Sequence, residues 1–176
     1  MDGNWDLEGF DDDDRNKPVV RVNICAYVNE QNAGDDDGNS PTNHWAIFLE
    51  LPKQHSVSLD MAPGYGSDGR RGKILVSSRR QQITDNAIRT LPFGVAQGTS
   101  VQTITNVIST NNRQKYTFTE EMEGCRLWVY TIISDLETAR IVDPGSMALT
   151  WEEVSYYWRY PKGHEARAVK QGEFRS

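Results

Sequence analysis

"HWAIFLELPKQHSVSLDMAP" (44–63) decides the fold. Its first part, "HWAIFLEL" (44–51), is a strand-like apolar run. Its second, "HSVSLDMAP" (55–63), sets Val57, Leu59 and Met61 on one face and Ser58 and Asp60 on the other. That is the period-two pattern of a strand with one buried side. The short link "PKQ" makes the two a hairpin, so they run antiparallel. His44, at the start of the first strand, then falls close to Asp60 and Met61 near the end of the second.

Outward from the hairpin the period stays at two. "VVRVNICAYV" (19–28) alternates apolar and polar residues and reads as a strand, as does "KILVSSRR" (73–80) after the turn "GYGSDGRRG" (64–72). A further extended segment is expected near "AIRTLPFGV" (87–95). "NEQNAGDDDGNSPTN" (29–43) lacks apolar periodicity and is dense in turn residues, so it is a long loop.

After residue 98 the period becomes helical. "GTSVQTITNVISTNN" (98–112) spaces Val101, Ile104, Val107 and Ile108 for one helix face, with Thr99 or Ser100 as the cap. "QKYTFTEEME" (114–123) is a short extended piece or loop. A helix then opens at Gly124 and Cys125, burying Val129, Ile132, Ile133 and Leu136. A last helix is expected over "TWEEVSYYWRY" (150–160). Thr150 and Glu153 stand at capping-box spacing, Trp151, Val154 and Trp158 form its stripe, and Pro161 stops it.

Strands first and helices after point to an α+β protein: an antiparallel sheet from the N-terminal half, packed against helices from the C-terminal half. A chain of 176 residues suits one domain with tails. Residues 1–17 read as a disordered acidic tail, residues 18–162 as a single domain and residues 163–176 as a polar C-terminal tail. The net charge of −6 argues against non-specific nucleic-acid binding. No apolar run is long enough to span a membrane, and no secretory signal is visible. Two cysteines far apart form no disulfide framework. A reducing, cytoplasmic setting with free thiols is expected.

Cys125 is the chemically suggestive thiol. A helix N-terminus directs amide dipoles at the sulfur, and the thiolate is the reactive form. Gly124 permits a tight turn and close approach, and Arg126 adds positive charge; Glu120, Glu121 and Glu123 oppose it. A catalytic cysteine also needs a base. Of three histidines, His164 lies in a polar stretch and His55 at an exposed strand start. His44 begins an apolar strand directly after the long loop, at the rim of a pocket. Asp60 is the carboxylate in reach to orient it, with Asn43 a local alternative. Gln97 and the Cys125 amide are candidate oxyanion donors. Against this stand bland readings: cysteine is often simply buried, and a strand-end histidine is often a partly buried amphipath.

"HWAIFLEL", the strand containing "SLDM" and, much later, "GCRLWVYTII" together resemble the circularly permuted NlpC/P60 papain-like fold, which includes the lecithin:retinol acyltransferase-like enzymes. The resemblance implies His44 as the early base, Asp60 as its orienting residue, Cys125 as the nucleophile and Trp128 as the aromatic residue three positions beyond it. Gly124 departs from the asparagine frequent before the nucleophile, and Leu127 from the histidine of some branches. The implied activity is acyl transfer or hydrolysis of an amide or ester through a thioester, on a small-molecule or peptide substrate, without a cofactor. The whole chain also resembles a group of small fungal proteins.

Two alternatives stand beside it. One is a non-enzymatic binding or assembly module whose acidic tail engages a partner. The other is an enzyme of fungal secondary metabolism that uses the same pocket without a covalent intermediate. "GSDGRRGK" (66–73) offers glycines and cations to an anion but lacks P-loop spacing. "DDDGNS" (35–40) is rich in oxygen ligands but lacks the calcium-loop pattern. No Rossmann fingerprint is present, so no nicotinamide or flavin is implied, and without a close histidine pair there is no strong zinc site, although a Cys/His/Asp trio can in principle ligate zinc.

Overall fold

The computed structural model describes residues 1–30, 40–81 and 83–176. The strands are Trp5–Gly9 (β1), Arg21–Val28 (β2), Asn43–Leu51 (β3), His55–Tyr65 (β4), Arg71–Arg79 (β5) and Arg89–Gly94 (β6). Then come helix Val101–Thr110 (α1), the short strand Tyr116–Thr117 (β7), and helices Cys125–Thr138 (α2) and Ser146–Val154 (α3). Three short strands close the chain: Tyr156–Trp158 (β8), His164–Ala166 (β9) and Glu173–Phe174 (β10).

The hairpin β3–β4 lies at the centre of a sheet ordered β10-β7-β5-β4-β3-β2-β6. Its pairs are antiparallel except β1, which runs parallel to β5. This bears out the α+β architecture, with a largely antiparallel sheet and separate helices. The alternation holds as expected: Val22, Ile24, Trp45, Ile47, Leu49, Val57, Leu59 and Met61 are buried on one face. Against that face pack Ile104 and Ile108 of α1, and Trp128, Val129, Ile132, Ile133 and Leu136 of α2. Each such side chain removed from water contributes about 1.5–3 kcal/mol before entropy is counted. The opposite face carries a second, smaller cluster of Cys25, Ala46 and Phe48, joined by Tyr27, Ile83 and Ala87.

Ser100 caps α1, its hydroxyl accepting from the Thr103 amide while Thr103 answers the Ser100 amide. α2 has no side-chain cap; Gly124 precedes it at φ 154°. That left-handed φ suits glycine, and a Cβ there would come within 2.8 Å of the Tyr116 ring.

Three expectations are corrected. Residues 1–17 are not a disordered tail. Trp5 is only 6% exposed, in the main core, and β1 lies along β5 with Trp5 opposite Ile74. Asp14 is buried and accepts from Lys17 at 2.5 Å, while Asp11 caps the turn at Asp12–Asp14. The acidic residues mask a short apolar alternation, Trp5 and Leu7, that is enough to add a strand.

The last helix starts and stops four to six residues earlier than expected, at Ser146 and Val154. Gly145, at φ 96°, opens it, and Ser155 ends it. Thr150 lies inside, its hydroxyl donating to the Ser146 carbonyl, so it is no cap. Trp151 is 42% exposed, and Trp158 sits in β8, paired with β9.

Residues 163–176 are not a loose tail either. β10 pairs with β7, and the carbonyls of Arg167 and Ala168 receive the buried Arg126 guanidinium at 3.1 and 2.6 Å. The acidic run at 35–39 lies outside the described residues. No described helix is long and apolar enough to cross a membrane.

Candidate active site

β3 and β4 bring His44 and Asp60 together through register. Ile47 pairs with Leu59; continued, that register sets Asp60 opposite Ala46, one same-face step from His44. Diagonal neighbours stand about 7–8 Å apart at Cβ, within reach of long side chains. The gap closes: His44 Nε2 lies 2.7 Å from Asp60 Oδ1. The side chains are 27% and 34% exposed.

Cys125 reaches the same place from the helical layer. α2 packs on β3 and β4, and its first residue abuts the beginning of β3. The Cys125 thiol lies 3.9 Å from the Asn43 carbonyl, to which it can donate weakly. His44 is the next residue, and it lines the same cavity as Cys125. Asp60 takes Nε2, which leaves Nδ1 free to exchange a proton. Burial by itself lowers the pKa of His44. Its hydrogen bond to Asp60, with the influence of nearby Cys125 and the Asp60 charge, outweighs this and holds it well above the usual 6.5.

His44 and Cys125 line one cavity of about 350 Å³, together with Thr42, Pro63, Phe118, Met122 and Gly124 among others. That is a volume suited to a small ligand. The amides of the first turn of α2 precede its first intrahelical bond, Trp128 N–H to the Gly124 carbonyl. Unpaired N–H groups at a helix start are natural donors to negative charge.

The start of α2 is braced from behind. Buried Tyr116 donates its hydroxyl to the Gly124 carbonyl at 3.0 Å and accepts from the Gly172 amide at 3.1 Å. Arg126, 4% exposed, donates to the carbonyls of Val154, Arg167 and Ala168 and to Glu123 at 3.1 Å. Asn43, also buried, holds Trp158 through both its backbone groups, at 2.6 Å to its amide and 3.0 Å to its carbonyl.

Of the expected site residues, His44 and Asp60 are in contact, Cys125 lines a cavity with His44, and Gln97 stands apart. Gln97 is exposed in the turn after β6. The neighbouring Ala96 amide donates to the Ile141 carbonyl, past the C-terminus of α2. Gln97 therefore stands at the far end of that helix from Cys125, about 20 Å away at about 1.5 Å per residue. It cannot donate to an oxyanion on that thiol.

Of the glutamates that oppose a thiolate, Glu120 and Glu121 point into solvent and Glu123 is answered by Arg126. Asn43 turns out to fasten β3 to β8 rather than orient His44. Arg126 is a structural tie, not a nearby surface charge. Tyr116 is signalled in the sequence only by its alternation with Phe118 in "KYTFT", the mark of a buried extended piece. His164 stacks against Tyr156 and Trp158, away from the cavity. In the 66–73 turn, Arg70 donates to the Phe118 carbonyl and Lys73 lies over the Tyr65 ring, so those cations are structural. Among the described residues, no cluster of His, Cys, Asp and Glu is arranged to hold a metal.

Fold and site together define an α+β protein with a cysteine, a histidine and an aspartate gathered where a helix N-terminus meets the central hairpin. By sequence, the chain belongs to the family described as a domain of unknown function, DUF7770, whose model matches residues 22–175. No curated protein and no solved structure matches it.

Proposed function

We propose that the protein is a thiol-dependent acyl-transfer enzyme or amide/ester hydrolase of the permuted NlpC/P60 papain-like kind. Cys125 is the nucleophile, His44 the general base and acid, and Asp60 the group that orients His44. The observation that carries this reading is the imidazole of His44 hydrogen-bonded to Asp60 on the wall of a cavity that Cys125 also lines. The chain order of base, orienting acid and helix-start cysteine supports it.

The Cys125 proton passes to His44 Nδ1, and sulfur attacks the substrate carbonyl carbon. The carbonyl π pair moves onto oxygen, which the first-turn amides of α2 stabilise. As the intermediate collapses, His44 returns the proton to the departing amine or alcohol, leaving a thioester on Cys125. Water, an amine or an alcohol then gives a proton to His44, attacks the thioester and releases the thiol. Asp60 holds the ring and its tautomer throughout.

Competitive labelling with iodoacetamide tests the reading. Cys125 should react at least about tenfold faster than a reference thiol, and His44→Ala should abolish the difference. Equally slow labelling of Cys125 and the reference would exclude a primed nucleophile.

A further inference from the structure

The imidazole of His44 separates two cavities. The second, of about 360 Å³, lies on the sheet face opposite the helices. Tyr27, Phe48, Leu75 and Ala46 supply apolar wall, and Asp60, Ser58, Ser77 and Arg79 supply polar wall. Neither the nucleophile nor the cavity beside Cys125 uses this space.

Its polar groups are arranged for one kind of ligand. Arg79 donates through Nε to Ser58 Oγ at 3.2 Å. Among the described residues, its Nη1 and Nη2 take no protein partner. A guanidinium so anchored presents a planar edge that matches a carboxylate better than a point charge would. Ser77, whose carbonyl accepts from Ser58, lines the cavity from the neighbouring strand. The charge count is small. Asp60 is the carboxylate on the wall and is ion-paired with His44, which leaves Arg79 to set the sign. Among the described residues Arg79 is the cation on this wall without a carboxylate partner, which suits an anion, and the nearby Asp60 carboxylate disfavours a second negative charge on the ligand. The rings of Tyr27 and Phe48, 6.3 Å apart, give an apolar body something to lie against.

We propose that this second cavity binds a small organic monocarboxylate with an aromatic or similarly apolar body. Its carboxylate sits on the Arg79 guanidinium, and its body lies toward Tyr27 and Leu75. The proposal does not depend on the thiol chemistry, because none of these groups reaches Cys125.

Benzoate, benzamide and benzylammonium titrated into the full-length protein, followed by amide and imidazole NMR shifts, test it. Benzoate should saturate shifts at Tyr27, Ser58, Ser77 and His44. Benzamide should bind at least about tenfold more weakly, because it lacks the charge-assisted pair, and benzylammonium should not bind. Arg79→Met should remove benzoate binding and Arg79→Lys should restore part of it. Equal binding of benzoate and benzamide, no saturable shift at these residues, shifts confined to Gly124 and Cys125, or unchanged binding to Arg79→Met would each overturn the assignment. Should Arg79→Met misfold, the comparison of benzoate with benzamide in the unaltered protein decides.

Discussion

His44 Nε2 and Asp60 Oδ1 stand 2.7 Å apart, on the two arms of one hairpin, and the same imidazole lines a cavity shared with Cys125. The cavity beside that ring therefore lies between the sheet and the first turn of a helix that follows it by a long stretch of chain.

Asp60→Asn should lower the His44 pKa by about one unit or more, read from its imidazole resonance. The folded value is raised, so the stability from this pairing is complete below the unfolded value of about 6.5 and is lost as pH rises through the folded one. Urea unfolding at about pH 6 and about pH 9 should show that loss in the native protein and a flatter profile in Asp60→Asn. The same profile in both would mean the carboxylate does not hold the proton on His44.

The two thiols should separate by reactivity. Burial pushes the Cys25 thiol up to about 11, with a hydrogen bond from Thr90 offsetting part of it. Iodoacetamide near neutral pH should leave Cys25 unlabelled in the folded protein, while mass spectrometry after denaturation should find both cysteines equally labelled. Early labelling of Cys25 in the native state would contradict its burial.

Gly124→Ala should destabilise the protein by about 1–3 kcal/mol from backbone strain, before the clash with Tyr116 is counted. The Cys125 alkylation rate should fall with it, since this step aims the first turn of α2. A shift in urea midpoint measures the first effect and labelling kinetics the second. Unchanged stability would show that residue 124 relaxes into another conformation.

Arg126→Met should cost about 3–5 kcal/mol, because Glu123 and three carbonyls lose one buried donor set. Lysine should not rescue it, since a single ammonium cannot reproduce the planar fork. Hydrogen exchange should quicken across residues 164–175, which the guanidinium ties to α2. Exchange unaltered there would place the anchoring of the C-terminal segment elsewhere.

Trp5→Ala should cost about 3–5 kcal/mol, the range for an aromatic residue removed from a core, measured by urea unfolding. A loss below about 0.5 kcal/mol would return the N-terminal segment to the status of a surface appendage.

The sequence by itself determined the sheet and the start of α2. Val57, Leu59 and Met61 alternate against Ser58 and Asp60, and a period of two has only one way to bury one face. The same pattern placed His44 and Asp60 on facing strands, because hairpin register follows from a short link. Helix spacing likewise located Cys125 one turn ahead of Val129.

Tertiary structure decided the rest. Trp5 stands among charges that dominate local composition, and only the open edge of β5 gives it somewhere to go. Tyr156–Trp158 has the apolar spacing of a helix, and its pairing with His164–Ala166 makes it a strand. Gln97 is close to the helical half in sequence, yet the length of α2 sets it at the far end. Whether Cys125 faces His44 depended on how a helix lies across a sheet. That is fixed by the packing of Ile132, Ile133 and Leu136 on the core and by the ties of Tyr116 and Arg126 at the helix start, long-range contacts that no local pattern encodes.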